Sequence, residues 1–480
     1  MILSPAEMLE TERRAFAGGI SAEVLMEKAG LEMANLVRHF HPVPGNCLVF
    51  FGKGHNGGDV LVAARHLAEW GWGIELEQVS ADLAPLTAKK LTAIFRKPAA
   101  SSYPLVILDG LLGIGVSGDP REPVATAIRR INDLRRTRAA WVLSADLPSG
   151  LREDMAGNPC VVADATMTMG FAKTSLVADH ATNFVGRLAV AELAGLEAPP
   201  DADPAEILSQ ENLRHLLPPR SFDIHKGQCG RVAIIAGSSA FPGAARLCSA
   251  AAVKSGAGLV TLFAPPEVTP ILAASVLPEV MVSSISDFSE LLEKPFDVFA
   301  IGPGLGRERD AMARDFVQKC SAPCVVDADA LNAFSSYTSL LRSCAGPRLL
   351  TPHPLEMDRL DAKKGRTRRQ WLSDFVEQYP VTLLLKGART IIGQKGFAPA
   401  YNSTGHPGMA SGGMGDVLTG VCAGLMAQGK TPFDAAKLAA WTCGYAAELA
   451  IRDSGCSQES LTASDVIHHL GPAFNSLRHG

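Results

Sequence analysis

The sequence predicts two α/β domains in tandem, each built on a mostly parallel sheet, and three observations carry that prediction. Short apolar runs recur along the chain, at 47–51, 105–108, 141–145 and 231–236 and at the starts of CVVDADALN and VTLLLKGART among others. Each run ends in a polar or glycine-rich turn and is followed by a helical pattern, the alternation of βαβ units. Two turns rich in glycine, GKGHNGGD at 52–59 and GHPGMASGGMGDVLTG at 405–420, stand directly before helical patterns. Between 196 and 219 the alternation breaks, with proline pairs at 199–200 and 218–219, which places a boundary near 203 and gives domains of 1–203 and 204–480.

Bulk properties agree. A chain of 480 residues exceeds one ordinary domain, and 47% hydrophobic residues supply sizeable cores. A net charge of −4 and 6% aromatic residues leave neither the basic footprint nor the stacking platforms of a nucleic-acid binder, and no attraction to an acidic membrane surface. The ten cysteines contain no CxxC pair and sit mostly in apolar surroundings, as free thiols do in a reducing cytosol. No secretory signal precedes the first helix and no run of 18 apolar residues occurs, so a cytoplasmic protein is expected.

In chain order, Ser4-Pro5-Ala6-Glu7 is a capping box with proline at the first helical position. A second helix follows Ser21, with Leu25, Ala29, Met33 and Val37 on one face. The strand 47–51 then ends in GKGHNGGD, a turn suited to holding phosphates on backbone amides before the helix that begins VLVAARHL. The strand 105–108 leads to Asp109 and GLLGIGVSGD, and the strand 141–145 leads to Asp146 and LPSG. In an open parallel sheet these strand ends face one crevice, where Gly57, Asp109 and Asp146 meet. Asn and Asp oxygens, Ser149 and backbone carbonyls would suit a hard monovalent cation there; no set of ligands for a divalent ion is visible.

In the second half, polar residues again stand at strand ends: 302–306, Asp327, Asp329, Asn332, His353, Glu356 and Lys386. Each has a plain structural alternative. Asp327 and Asp329 read equally as helix caps, His353 as a turn residue between prolines, and Lys386 as a solvated tip. The late glycine turn is more telling. The N–H groups of Gly412, Gly413, Met414 and Gly415 precede a helix and would grip an anion. Asp416 in the same turn would repel a phosphate, unless it takes a proton from a hydroxyl that attacks one. That combination proposes phosphoryl transfer.

The first half resembles the epimerase half of the bifunctional NAD(P)H-hydrate repair enzymes. It carries the turn His55-Asn56-Gly57-Gly58-Asp59, DGLLGIG at 109–115 and DLPSGL at 146–151. His55 stands where the family has asparagine, and Val60 where glycine is common. The resemblance implies a Rossmann-like three-layer domain that interconverts R and S hydrates with K+ bound by Asn56, Asp109 and Ser149. The substrate would contact 55–59, Asp146, and a loop of Gly113, Ile114, Gly115, Val116, Ser117, Gly118 and Asp119. Epimerising the hydrated carbon requires loss and return of its substituent, and Asp146 is the first candidate for the acid or base, Asp109 the second.

The second half resembles the dehydratase half of the same family, on a ribokinase-like α/β fold. The matching residues are HKG at 225–227, GPGLG at 302–306, DADALN at 327–332, TPHPLE at 351–356, KGART at 386–390 and NSTGHPGMASGGMGDVLTG at 402–420, with Leu355 where glycine is frequent. The resemblance implies ADP, or ATP, as co-substrate with Mg2+, phosphorylation of the ring hydroxyl of the S hydrate of NADH or NADPH, and release of AMP and phosphate. Asp416 would be the base. Ala244, Gly304 and His353 would contact the hydrate; Lys386, Gly387, Ala388, Arg389, Thr390 and Gly415 would bind the nucleotide. The runner-up is a ribokinase-like small-molecule or vitamin kinase with an accessory Rossmann-like domain; a third reading makes the first half a non-catalytic nucleotide sensor. A homo-oligomer is expected, with the alanine-rich stretch 433–450 serving either as core or as subunit contact.

Overall fold

A computed structural model describes residues 1–93, 103–115, 118–152 and 159–479. The chain divides into two compact units, Met1–Ile207 and Leu208–Gly480.

In the first unit the parallel sheet runs in the order Gly73–Gln78, Asn46–Phe51, Leu105–Gly110, Trp141–Ala145, Ala165–Met169, Arg187–Ala191. Its first strand in sequence is Asn46–Phe51, and the chain leaves it for one neighbour and later returns to the other. The order therefore reverses between Asn46–Phe51 and Leu105–Gly110, and a crevice opens outside their carboxyl ends. Phe51 hands directly to the first glycine turn. A Cβ on Gly57 would lie 2.3 Å from the Gly52 carbonyl, so a side chain there would force the strand end and the helix start apart. The helix His55–Glu69 begins inside the motif rather than after it, because Gly54 takes an extended N-cap conformation. The amides of 55–57 are thus the unsatisfied N–H groups of a helix N-terminus.

The first helix, Pro5–Ala17, is capped reciprocally as the sequence predicts. The Ser4 N–H donates to Glu7 Oε2 at 2.6 Å, and the Glu7 N–H donates to Ser4 Oγ at 3.2 Å. Just before it, Ile2–Leu3 pairs in parallel with Ala172–Lys173, which anchors the helix beside the sheet. The second helix, Ala22–Phe40, buries Ala29, Met33 and Val37 as predicted; its Leu25 turns instead toward the cleft described below.

In the second unit the parallel order is Val280–Ser284, Leu259–Ala264, Arg231–Ile235, Val298–Ile301, Cys324–Val326, Arg348–Leu350, Thr382–Leu385. Ile391–Gln394 and Ala400–Tyr401 then extend it antiparallel, short strands that the apolar pattern does not separate from turns. The order reverses between Arg231–Ile235 and Val298–Ile301, so the polar strand ends at 302–306, 327, 353 and 386 follow one another along the same edge. The late helix, Met414–Ala427, packs on Pro242–Lys254 with little between the backbones. A Cβ on Gly420 would lie 2.1 Å from the Cys248 carbonyl, so the last glycine of the motif serves helix packing rather than anion binding. The alanine-rich helix Pro432–Asp453 buries Ala436, Leu438, Trp441, Ala447 and Leu449 within its own unit, which makes that stretch core. Among the described residues no helix is long and apolar enough to cross a membrane.

Candidate active sites

At the carboxyl edge of the first sheet lies a cleft of about 600 Å³ whose walls include His55, Asn56, Gly57, Asp59, Gly113, Ile114, Gly115 and Asp146. Asn56 ties two strand ends together, its Nδ2 donating to Leu112 O at 3.1 Å and Ala145 O at 2.8 Å. The Leu112 N–H donates to Ser149 Oγ at 3.0 Å, and that hydroxyl donates to Asp109 Oδ1 at 2.6 Å. One chain of hydrogen bonds thus joins Asn56, Asp109 and Ser149, the three residues expected to hold a cation. Asp109 is fully buried and also accepts from the Ser149 N–H at 2.9 Å and the Ser144 hydroxyl at 2.8 Å. Burial pushes its carboxyl up, partly offset by these bonds.

Asp146 follows the strand Trp141–Ala145 with φ +65°, a left-handed conformation that a non-glycine residue rarely takes. Its Oδ1 accepts from the Met169 N–H at 3.1 Å, the Thr168 hydroxyl at 3.3 Å and the Lys173 ammonium. Lys173 is 0% exposed and also donates to the Thr168 hydroxyl and to Met169 O, both at 3.0 Å. Sequence reading missed Lys173; the available signal was a lysine inside the apolar alternation MTMGFAK. It missed Glu12 as well, which lies on the cleft wall. Asp59 is buried, and burial followed by the charges of Asp146 and Glu12 pushes its carboxyl far up.

Other expected contacts separate from the cleft. Gly58 packs toward Met26. Asp119 is exposed and ion-pairs with Arg152, and Gly118 is exposed beside it. Val116 and Ser117 lie outside the described residues.

In the second unit the site grows from Asp327. It is 1% exposed, accepts from Lys386 Nζ at 2.8 Å on one oxygen, and from the Thr419 hydroxyl at 2.7 Å on the other. Thr419 sits one turn beyond Asp416 on the late helix, whose N-cap is Gly413 with φ +90°, so Gly415 and Asp416 occupy the first helical turn. A Cβ on Gly415 would come within 3.2 Å of Lys386 Nζ. Lys386 is therefore no solvated tip. It lies between Asp327 and Glu356, the latter at 3.8 Å, and these carboxylates outweigh burial to hold its ammonium above the usual lysine range. Burial and then Asp327 push the Asp416 carboxyl up to about 7, with Lys386 pulling the other way.

Asp327 makes no side-chain cap bond to the short helix Ala328–Asn332, and Asp329 accepts the Gly306 N–H at 2.9 Å, tying down the GPGLG turn. His353 does cap its helix, Nδ1 accepting from the Leu355 and Glu356 N–H groups at 3.1 and 3.2 Å. Its proton then lies on Nε2, 3.4 Å from Glu356 Oε1, which links the histidine to Lys386 through one glutamate.

In the KGART segment, Arg389 is buried, and burial with the neighbouring Arg368 lowers its guanidinium to about 10. Arg368, missed in the sequence, donates to the carbonyls of Arg389, Leu385 and Lys386 at 3.0, 3.2 and 3.2 Å, and so shapes the loop carrying Gly387 and Ala388. The Thr390 hydroxyl donates to Gly387 O at 3.2 Å within the same loop.

Gly304 and Ala244 are brought together. Gly304 has φ +60°, and a Cβ on it would lie 2.6 Å from Phe241 O and 2.9 Å from Ala244 Cβ. Gly304→Ala is expected to cost about 1–3 kcal/mol of stability and to lower kcat/KM at this site about tenfold. Thermal melts and steady-state kinetics check both; a variant with wild-type kcat/KM would place Gly304 away from the substrate.

Chemically, the second site offers a half-buried carboxylate poised near neutrality, free amides at a helix start, and a lysine fixed beside them. That set suits proton removal from a hydroxyl with charge stabilisation on a phosphoryl group. The first offers a paired carboxylate in a cleft with further carboxylates around it, which suits reversible protonation.

Comparison with known proteins adds the chemistry of relatives. Residues 232–469 match the NAD(P)H-hydrate dehydratase family, and residues 22–175 match the family described as YjeF-related protein N-terminus. The bifunctional NAD(P)H-hydrate repair enzyme of Moorella thermoacetica is 36% identical over 520 residues, spanning 99% of this chain and 97% of the relative. That of Coxiella burnetii is 34% identical over 491 residues, spanning 98% of each. Among solved structures, an ADP/ATP-dependent NAD(P)H-hydrate dehydratase from Bacillus subtilis, co-crystallised with ATP and Mg2+, is similar with TM-score 0.51 and 29% identity, covering 57% of this chain and 100% of its own. A ribokinase-like protein from Enterococcus faecalis is similar with TM-score 0.50 and 25% identity, covering 59% of this chain and 100% of its own.

Proposed function

Because the chain belongs to the bifunctional NAD(P)H-hydrate repair enzymes, we propose that its first unit interconverts the R and S hydrates of NADH and NADPH and that its second unit dehydrates the S form with ADP or ATP. The observation that carries the second assignment is Asp416 in the first turn of its helix, with the amides of 412–415 ahead of it and the Asp327–Lys386 pair alongside.

Asp416 takes the proton of the ring hydroxyl, and that oxygen attacks the terminal phosphoryl group. The O–P bond forms as the bond to the nucleotide breaks, releasing AMP when ADP is used. Phosphate then leaves with the C–O electron pair, driven by the lone pair of the ring nitrogen, and loss of a ring proton restores the dihydronicotinamide. Hydroxide is a poor leaving group and phosphate a far better one, which is why a kinase-like site drives a dehydration. Each amide lost from the phosphoryl grip would cost roughly 10²–10³ in rate. Lys386 and the loop to Thr390 approach the nucleotide phosphates, Gly304, Ala244 and His353 the hydrate. Magnesium accompanies the nucleotide through its phosphates and neutralises charge there.

In the first unit Asp146 serves as the acid–base group. Asn56, Asp109 and Ser149 fit K+: the donors are all oxygens, and the Asn56 amide nitrogen is committed to two carbonyls, so its oxygen is left toward Gly113. Bound there, the ion would offset the buried Asp109 charge.

A mixture of R and S hydrated NADH with ADP or ATP tests the reading through absorbance of restored dihydronicotinamide. Full recovery of both epimers is expected. A simple kinase would leave a stable phosphorylated product, and a chain with a non-catalytic first unit would consume only the S fraction at an enzyme-dependent rate.

The pH profile follows from Asp416. Its raised carboxyl must be ionised to accept a proton, so kcat/KM for dehydration rises with pH and levels off above about 7. Lys386→Met removes the positive charge that opposes the shift, and the midpoint moves to higher pH. An unmoved midpoint would detach the profile from Asp416.

A further inference from the structure

The first helix carries a titratable group that the chemistry above leaves unused. Leu9, Glu12 and Phe16, spaced i, i+3 and i+7, present one face of Pro5–Ala17 to the cleft, while Met8, Thr11 and Ala15 face inward and are buried. The capping box and the pairing of Ile2–Leu3 with Ala172–Lys173 hold this helix in place. The Phe16 ring stands edge-on to the His55 ring, with centroids 6.4 Å apart, so the helix lies against the glycine turn. Asp146 comes from a strand end, Asp59 from the helix His55–Glu69 and Glu12 from this first helix, which puts three carboxylates on three different walls.

Their situations differ. Asp146 is engaged by the Lys173 ammonium, and Asp59 is only 6% exposed. Glu12 alone of the three is half-buried, lining the cleft while keeping access to water. Inverting the hydrated carbon demands two proton transfers, one to the departing oxygen and one from the entering water, and a single paired carboxylate supplies one of them at a time.

We infer that Glu12 is a second catalytic residue of the first unit, delivering the proton to the departing hydroxyl while Asp146 accepts one from the water that adds back. The inference rests on the epimerase reading of this unit. In the forward step the Glu12 carboxyl gives its proton to the hydroxyl oxygen, the C–O bond breaks, and the ring-nitrogen lone pair forms an iminium ion as water departs. A water then adds to the other side of that carbon, and its proton goes to Asp146. Transfer of one proton from Asp146 to Glu12 through water resets the cleft, with no net change in atoms or electrons. The reverse direction exchanges the two roles. The iminium charge develops among carboxylates that favour it.

The charged groups that act on Glu12 are Asp146, Lys173 and Asp59, and Lys53 and His55 of the turn line the same cleft. Burial, then the Asp146 charge, pushes the Glu12 carboxyl up and Lys173 opposes, which keeps it a proton carrier above the usual range of glutamate.

The full-length chain, pure R hydrate and chiral separation of the products test this. Glu12→Gln is expected to lower kcat for R-to-S conversion about 10²-fold with KM little changed, to remove the high-pH limb of the wild-type profile, and to keep the wild-type circular dichroism spectrum and melting temperature. Glu12→Asp, which keeps the carboxyl, is expected to recover part of the rate and the limb. Wild-type kcat with both limbs intact in Glu12→Gln overturns the assignment, as does a loss that tracks a lowered melting temperature and is not relieved by Glu12→Asp. A wild-type chain that interconverts nothing removes the epimerase reading itself, an outcome distinct from an active wild type with an unaffected variant.

Discussion

Asp416→Asn lowers ADP-dependent dehydration of the S hydrate by about 10³-fold or more while leaving R-to-S interconversion at the wild-type rate. The amide keeps the size of the carboxylate but accepts no proton, so the loss falls on kcat and on kcat/KM together, as expected for a group that acts only in the transition state. The helix start, the Asp327–Lys386 pair and the Thr419 hydroxyl bond involve other atoms and remain. A second signature separates loss of the base from general damage. The folded-state carboxyl is raised from 3.8 to about 7, so the folded chain holds a proton that the unfolded chain has already released. Stability from this group is therefore present below about 4 and is lost as pH rises through about 7. Asparagine removes that dependence, and the variant melts higher than wild type at pH 8 but not at pH 4. Initial rates on pure R and S hydrates, with melts at the two pH values, check both halves. Equal loss of both activities would mean that one site serves both reactions, against the assignment of one reaction to each unit.

Asp146→Asn abolishes R-to-S interconversion and also destabilises the first unit, and the two effects have different causes. Lys173 is 0% exposed and pairs with Asp146, so neutralising the aspartate leaves a buried ammonium without its counter-ion. Breaking such a pair from one side costs about 3–5 kcal/mol, a fall in melting temperature on the order of 10 °C. Activity loss in the single variant is consequently ambiguous. The double variant Asp146→Asn with Lys173→Met resolves it, because removing both charges restores much of the stability without restoring a proton acceptor. Stability regained with interconversion still absent, measured by melts and by chiral analysis, supports Asp146 in the chemistry. Interconversion regained along with stability would reduce Asp146 to a partner for Lys173.

Local chemistry made the fold legible. Apolar runs buried on both faces need parallel neighbours and covering helices, and the capping box at Ser4 and the glycines before two helices are local signals that tertiary contacts did not override. The second site was legible for a topological reason: a parallel sheet brings every strand's carboxyl end to one edge, so 302–306, Asp327, His353 and Lys386 had to share it. The first cleft was only half legible. Asn56, Asp109, Asp146 and Ser149 stand at or just after strand ends, but Glu12 and Lys173 arrive from an N-terminal helix and a two-residue strand, and only the lysine inside the apolar stretch MTMGFAK hinted at a buried charge.

The alternation of strands and helices along the chain, the position of the glycine turns and the family motifs were set by the sequence alone, since each depends on residues close to one another along the chain. Only the tertiary structure decided the charge states and the division of labour within the motifs. It set Lys386 between two carboxylates, paired Lys173 with Asp146, gave Gly420 to helix packing and made the alanine-rich helix core. Those outcomes depend on desolvation and on the charges of groups distant in sequence, and neither quantity exists until the chain has closed around them.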